Sequence, residues 1–318
     1  MIDKNSPTRQ LIIKPTSACN FNCEFCSAAH LNIPIHTKVP TALKEYLIKN
    51  KPNDLIITGG EPLINPKSYF EDLFDIMDSL NIEYEIGLTS NLVLWYNNQE
   101  EWDWMFNKPN VGIDTSFQYG NDRKDERVYT EERFVALYKA FEKRYHKPLL
   151  FIYVVNSENE KYVRDACLLA KRLGTDVKFN SQIPVGRATE YYPRYKLLAL
   201  FLDLLKEGLL TTDSVTIESI KHYQCPYASC YKYCAANRAV YVNEKEELVE
   251  GNCEDQLSSE GRLKIKRENP LFNRCLFCPM FSLCNGCSIN KDSTESIKDE
   301  HCKWMKDHCG ELKKYGLI

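Results

Sequence analysis

Three cysteines, Cys19, Cys23 and Cys26, stand in the run Cys-Asn-Phe-Asn-Cys-Glu-Phe-Cys. Three thiolates on one tight loop can hold three irons of a [4Fe–4S] cube and leave the fourth iron without a protein ligand. An open iron is a place for chemistry, whereas a fourth cysteine would close the site into a structural or electron-transfer centre. Three cysteines at this spacing also occur in zinc knuckles, so the loop alone leaves both metals open.

A second candidate is Gly59-Gly60-Glu61-Pro62. Glycines permit close backbone approach, and a carboxylate can accept a hydrogen bond from an ammonium group. In isolation the tetrapeptide reads as an ordinary turn with an exposed glutamate. Polar residues at the ends of later strands extend the field: Ser90 and Asn91, Asp114 and Ser116, and Arg187 within Gly186-Arg187-Ala188. Capping or a solvated surface position is the alternative for each of them.

Ten of the 14 cysteines lie between Cys225 and Cys309. The run Cys275-x2-Cys278-x5-Cys284-x2-Cys287, with Cys302 after it, has the density of a metal-folded module. A pair of structural zinc sites is the alternative, although the five-residue middle spacer is short for a zinc ribbon. Cys167 is isolated in a helical pattern and reads as a core thiol.

The elements that must position these residues alternate. Strands are predicted at Leu11–Lys14, Asp54–Thr58, Tyr84–Leu88, Val111–Phe117, Leu149–Val155 and Val177–Phe179. Helices are predicted at Lys67–Leu80, Glu131–Tyr145 and Tyr162–Leu173. Repeated βα units imply a parallel sheet, because parallel strands need crossover connections. Six units favour a curled, open barrel over a closed eight-stranded one, with the chemistry at the C-terminal rim. After about residue 215 the pattern changes, and Ala239–Val242 with Glu247–Val249 reads as a hairpin. The expected division is 1–215 and 216–318.

The chain has 318 residues, an apolar fraction of 43% and a formal net charge of −3. That apolar fraction is enough for a buried core, and the charge gives no sign of a nucleic-acid-binding surface. Asp3, Lys4 and Arg9 interrupt any N-terminal apolar stretch, and no run approaches the roughly 18 apolar residues of a membrane helix. A cytoplasmic location without membrane contact is expected. In that compartment thiols stay reduced, which favours metal or cluster ligation over disulfides.

The cysteine loop after the first strand, with Phe25 before its last cysteine, resembles the radical S-adenosylmethionine (SAM) enzymes. The resemblance implies that the open iron chelates the amino and carboxylate groups of SAM. One electron then cleaves the sulfonium to a 5′-deoxyadenosyl radical, which abstracts a hydrogen atom from substrate. Gly59, Gly60, Glu61 and Pro62 match the family's glycine-glycine-glutamate-proline element, which contacts the SAM amino group. Ser90 and Asn91 look like the polar pair near the ribose and carboxylate of SAM. Asp114 and Ser116 look like polar positions facing the barrel interior, and Arg187 is placed to meet the carboxylate.

The C-terminal field resembles the SPASM extension of that family. The implied fold is therefore α/β, a partial (β/α)6 TIM-type barrel followed by a cysteine-rich SPASM domain carrying two auxiliary [4Fe–4S] clusters. Carried onto this sequence, one auxiliary cluster would use Cys234, Cys253 and Cys287 with Cys230 or Cys225. The other would use Cys275, Cys278, Cys284 and Cys302, with Cys309 spare or replacing Cys302. With the SAM cluster this accounts for eleven of the 14 cysteines.

The implied function is a radical SAM/SPASM oxidoreductase, with a peptide or protein as the leading substrate class. A small-molecule or nucleotide-linked substrate is the alternative, and a non-enzymatic electron carrier or zinc scaffold is a third reading. A flavodoxin or ferredoxin is the expected reductant. Because the cysteine loop begins at residue 19, no N-terminal recognition domain is expected before it. Substrate recognition would then fall to a separate protein or to the barrel rim.

Overall fold

Alternation along each strand decides which face the sheet buries. In β5, Leu150–Val155, every residue is apolar or aromatic, yet Phe151, Tyr153 and Val155 are buried while Leu150, Ile152 and Val154 are only half-buried. The same alternation runs through β1 (Gln10–Ile13), β2 (Asp54–Ile57), β3 (Glu85–Thr89), β4 (Val111–Ser116) and β6 (Val177–Ser181). One face is sealed by helices and the other lines the interior of the curve. The structure, a computed structural model, describes residues 10–120, 129–182, 186–190, 192–222, 237–252 and 295–317.

The strand order is β6-β5-β4-β3-β2-β1-β7-β8, where β7 is Asn237–Val242 and β8 is Leu248–Asn252. The pairs from β1 to β6 are all parallel. Helices α1 (Thr41–Asn50), α2 (Lys67–Ser79), α3 (Val93–Asn97), α4 (Gln99–Phe106), α5 (Glu131–Tyr145) and α6 (Val163–Leu173) occupy the connections, as parallel strands require. The barrel is therefore partial and open, as the six repeated units predict. Register sets Thr89 opposite Asp114, Asp114 opposite Leu150, Ser116 opposite Ile152 and Val154 opposite Asn180 on the inner face.

Local chemistry explains the helix ends. Thr130 accepts from the Arg133 N–H at the start of α5, whose first turn holds Glu131 and Glu132 and whose last turn holds Lys143 and Arg144. Gly174, in the left-handed region, closes α6 by donating to Ala170 and Lys171. Behind the sheet, Trp95 donates to the Tyr145 hydroxyl at 3.0 Å, and that hydroxyl donates to Asp103 at 2.7 Å. Arg144 completes the group with two bonds to Asp103, which hold its carboxyl below the usual range. Cys167 is buried in the same core, and burial pushes its thiol up to about 12, as suits an inert packing residue.

The predicted boundaries shift in small, explicable ways. Tyr162 belongs to a 3-10 turn, Glu160–Tyr162, that precedes α6. Strand β6 runs past Phe179 because Asn180 and Ser181 pair with Val154 and Val155. The hairpin is real and longer than its apolar residues indicate, and its first strand pairs in parallel with β1. At the opposite edge, the Thr216 hydroxyl on α8 (Val215–His222) accepts from Phe179 N–H and donates to the Val177 carbonyl. A side chain thus occupies hydrogen-bonding positions that an exposed edge would offer to another chain.

The sequence after residue 215 looks poor in core residues, but its described ends are not. Val240, Val242, Met305 and Leu312 are buried in the main core. Helix α9 (Glu295–Asp307) packs on α7 (Arg194–Lys206), and α10 (Cys309–Lys314) is tied to α7 by Lys206–Glu311 at 3.0 Å. No helix among the described residues is long and apolar enough to cross a membrane.

Candidate active site

The loop that follows β1 is folded by its own backbone and by its neighbours. Cys26 N–H donates to the Cys23 carbonyl at 3.3 Å, and Phe21 N–H donates to the Cys19 sulfur at 3.3 Å. Cys19 is exposed, Cys23 buried and Cys26 intermediate. All three, with Phe25, line one cavity of about 220 Å³ at the C-terminal rim of the sheet. Among the described residues, no three His, Cys, Asp or Glu side chains converge to hold a single metal ion.

The turn after β2 lies against this loop. Gly60 N–H donates to the Thr16 carbonyl at 2.9 Å and Glu61 N–H to the Ala18 carbonyl at 2.8 Å. A methyl group on Gly60 would lie 2.1 Å from the Ala18 oxygen, so only glycine lets the two backbones meet. Gly59 and Gly60 both face the cavity, whereas Pro62 opens a buried 3-10 turn, Pro62–Ile64.

Glu61 does more inside the protein than its motif indicates. Its side chain is 1% exposed. The carboxylate accepts from Leu63 N–H at 3.2 Å, from the Ser90 hydroxyl at 2.8 Å and from Asn91 N–H at 2.8 Å. A buried carboxylate with several donors is a strong tie, and this one joins the rim after β2 to the rim after β3. Asn91 in turn donates to Asn20 at 2.7 Å, so the same chain of bonds reaches back into the cysteine loop.

Ser116 lies on the cavity wall beside Ile152 and Val154. Asp114 shares its face of β4 one step below, at the half-buried positions of the strand. Burial pushes its carboxyl up to about 6, and the charge of Lys178 on β6 offsets part of that rise.

Arg187 lies against the cysteine loop. Its backbone N–H donates to the Cys26 carbonyl at 3.1 Å, and Nη1 donates to the Cys23 carbonyl at 3.3 Å.

Several cavity residues carried no sequence signal. Gln118 accepts from Val154 N–H at 3.2 Å, and Gln182 accepts from Asn156 at 3.3 Å. Both Gln118 and Gln182 line the cavity with Thr58, Thr89 and Asn180. Uncharged residues just beyond strand ends form no motif, and only their shared rim position could have marked them.

Cys302 on α9 and Cys309 on α10 are partly buried. Cys225, Cys230, Cys234, Cys253, Cys275, Cys278, Cys284 and Cys287 lie outside the described residues.

Among curated proteins, the chain is similar to the GTP 3′,8-cyclase of Crocosphaera subtropica. The two are 24% identical over 181 residues, a match covering 53% of each. The chain thus spans about half the length of that relative. Among solved structures, it is similar to native anSMEcpe with bound AdoMet and Cp18Cys peptide, at a TM-score of 0.69 and 17% identity. That likeness covers 96% of this chain and 98% of that one. Streptococcus suis SuiB bound to precursor peptide SuiA gives a TM-score of 0.57 at 16% identity, over 93% of this chain and 76% of that one. These likenesses agree on the partial barrel fold. The family model of the radical SAM superfamily matches residues 13–170. That stretch begins on the strand that leads into the cysteine loop and includes every rim residue from Cys19 to Ser116, and the chain belongs to this superfamily of enzymes.

Proposed function

We propose that the protein is a radical SAM/SPASM oxidoreductase acting on a peptide or protein. The observation that carries this reading is the shared cavity of Cys19, Cys23, Cys26, Gly59 and Gly60. Three soft thiolate donors beside a turn too close-packed for any side chain fit a cluster with ligand space next to it. Cys19, Cys23 and Cys26 would hold a [4Fe–4S] cluster, which would supply the electron for reductive cleavage of SAM and so the means of hydrogen-atom abstraction from substrate.

The chain's own residues do the rest. Phe21 N–H, bonded to the Cys19 sulfur, holds that ligand atom in place. Gly59 and Gly60 let the SAM methionyl group approach the backbone, while Glu61, Ser90 and Asn91 keep the rim in one arrangement. Ser116 and Asp114 provide acceptors on the inner wall for SAM or substrate hydroxyl and amino groups. Membership of an enzyme superfamily sets aside the carrier and zinc-scaffold reading.

In this reading residues 1–215 form the SAM barrel and 216–318 a SPASM domain. The cysteines assigned above would hold its two auxiliary clusters, which would supply or accept an electron. A flavodoxin or ferredoxin reduces the enzyme in the cytoplasm, and a separate protein or the rim presents the peptide. Support for a peptide comes from the two solved structures whose names include one. The match to a GTP cyclase favours a nucleotide-linked substrate as the second reading.

Iron and sulfide analysis with an anaerobic SAM-cleavage assay tests the proposal. About twelve irons per chain and 5′-deoxyadenosine formation are expected. Cys19→Ala, Cys23→Ala, Cys26→Ala together should abolish cleavage, and cleavage surviving in that triple variant would contradict the site. Label transfer from a peptide library or from GTP into 5′-deoxyadenosine separates the two substrate classes.

A further inference from the structure

The cysteine loop is gripped from two sides that are far apart in the sheet. One grip is the diglycine turn after β2, next door to β1. The other comes from the turn after β6, at the far edge of the strand order. Strand pairing does not bring β6 to β1, so this contact spans the mouth of the open barrel.

Its chemistry is specific. Gly186 has φ +75°, and a methyl group there would lie 2.2 Å from the Cys26 carbonyl oxygen. The turn can therefore reach the loop only without a side chain at that position. The next residue then takes both carbonyls. Arg187 bonds Cys26 through its backbone and Cys23 through its guanidinium. Arg187 is otherwise exposed, so little packing holds it there.

We propose that Arg187 is a positioning residue for the cysteine loop, fastening the far edge of the barrel to the carbonyls of Cys23 and Cys26 and placing a permanent positive charge on that backbone. The inference rests on the reading that this loop holds the SAM cluster. Guanidinium stays charged at any working pH. A cation close to cluster-ligating thiolates favours the state with one more electron, so reduction is easier with Arg187 in place. The fixed carbonyls hold two of the three ligands in register and slow the loss of iron. A role for Arg187 only in meeting the SAM carboxylate predicts neither effect when SAM is absent.

The test uses reconstituted holoprotein without SAM, challenged with an iron chelator and titrated redox-wise by electron paramagnetic resonance. The relevant signal is identified afterwards as the one that changes when SAM is added. Arg187→Ala should lose iron about tenfold faster than the wild type, with the midpoint of that signal moved to a more negative potential. Arg187→Lys, which keeps the charge, should return the midpoint toward the wild-type value. Arg187→Ala with wild-type iron loss and midpoint overturns the proposal. A wild-type protein that holds zinc and no sulfide overturns the underlying reading of the loop instead, so the two failures are distinguishable.

Discussion

The two faces of the central sheet are built on opposite terms. On the outer face, Phe151 and Tyr153 are fully buried, and Phe151 meets the Phe134 ring edge-on at 5.3 Å. On the inner face, Ile152 and Ser116 border a cavity and Asp114 is a half-buried carboxyl. Neighbours one residue apart on β5 thus serve different ends. The outer face supplies stability through packed apolar area, and the inner face holds polar groups at some expense to it.

The comparison breaks most visibly at Phe151. Phe151→Ala should destabilise by about 3–5 kcal/mol in urea unfolding, since a buried aromatic leaves a cavity its neighbours cannot fill. A loss under about 1 kcal/mol would mean that the outer face is not the main core.

Asp114 tests the inner face through pH. Its unfolded carboxyl titrates near 3.8 and its folded one near about 6, so the native state holds the proton longer. Stability should therefore fall as pH rises from about 4 to about 6. Asp114→Asn should flatten that slope and gain about 1–2 kcal/mol at pH 7, while weakening SAM or substrate binding. Parallel unfolding curves of the two proteins across this range would remove the claim.

The smallest effect is expected at Ile152. Ile152→Ala should cost about 1 kcal/mol or less, because part of its surface already faces the cavity. Its consequence should instead appear in ligand affinity. A stability loss matching that of Phe151→Ala would erase the distinction between the faces.

These faces also show how far the sequence could be read. The outer face is legible because Leu55, Ile57, Ile86 and Leu88 alternate with less buried neighbours, and alternation is what a one-sided burial imposes. Cys19, Cys23, Cys26 and Gly59-Gly60 are legible because metal ligation and close approach admit few residue types. Gln118 and Gln182 were not, since a neutral amide suits any rim or surface. The bonds of Glu61 to Ser90 and Asn91 depend on strands β2 and β3 lying side by side, which a motif does not encode. The contact of Arg187 with the cysteine loop was not legible for a related reason: it follows from the curl of the sheet. Local sequence specifies each strand, while curvature is set by all of them together.

The parallel pairing of β7 with β1 has a consequence for synthesis. Strand β1 lies between β2 and β7, with Ile13 opposite both Ile57 and Val240. A nascent chain can offer β2 early, but the other flank of β1 stays unpaired until the ribosome has passed residue 242. Until then the strand leading into the cysteine loop presents an open edge to any extended segment nearby. Folding of that strand is thus a late, long-range event, and the protein should be most vulnerable to misassembly before its final quarter is made.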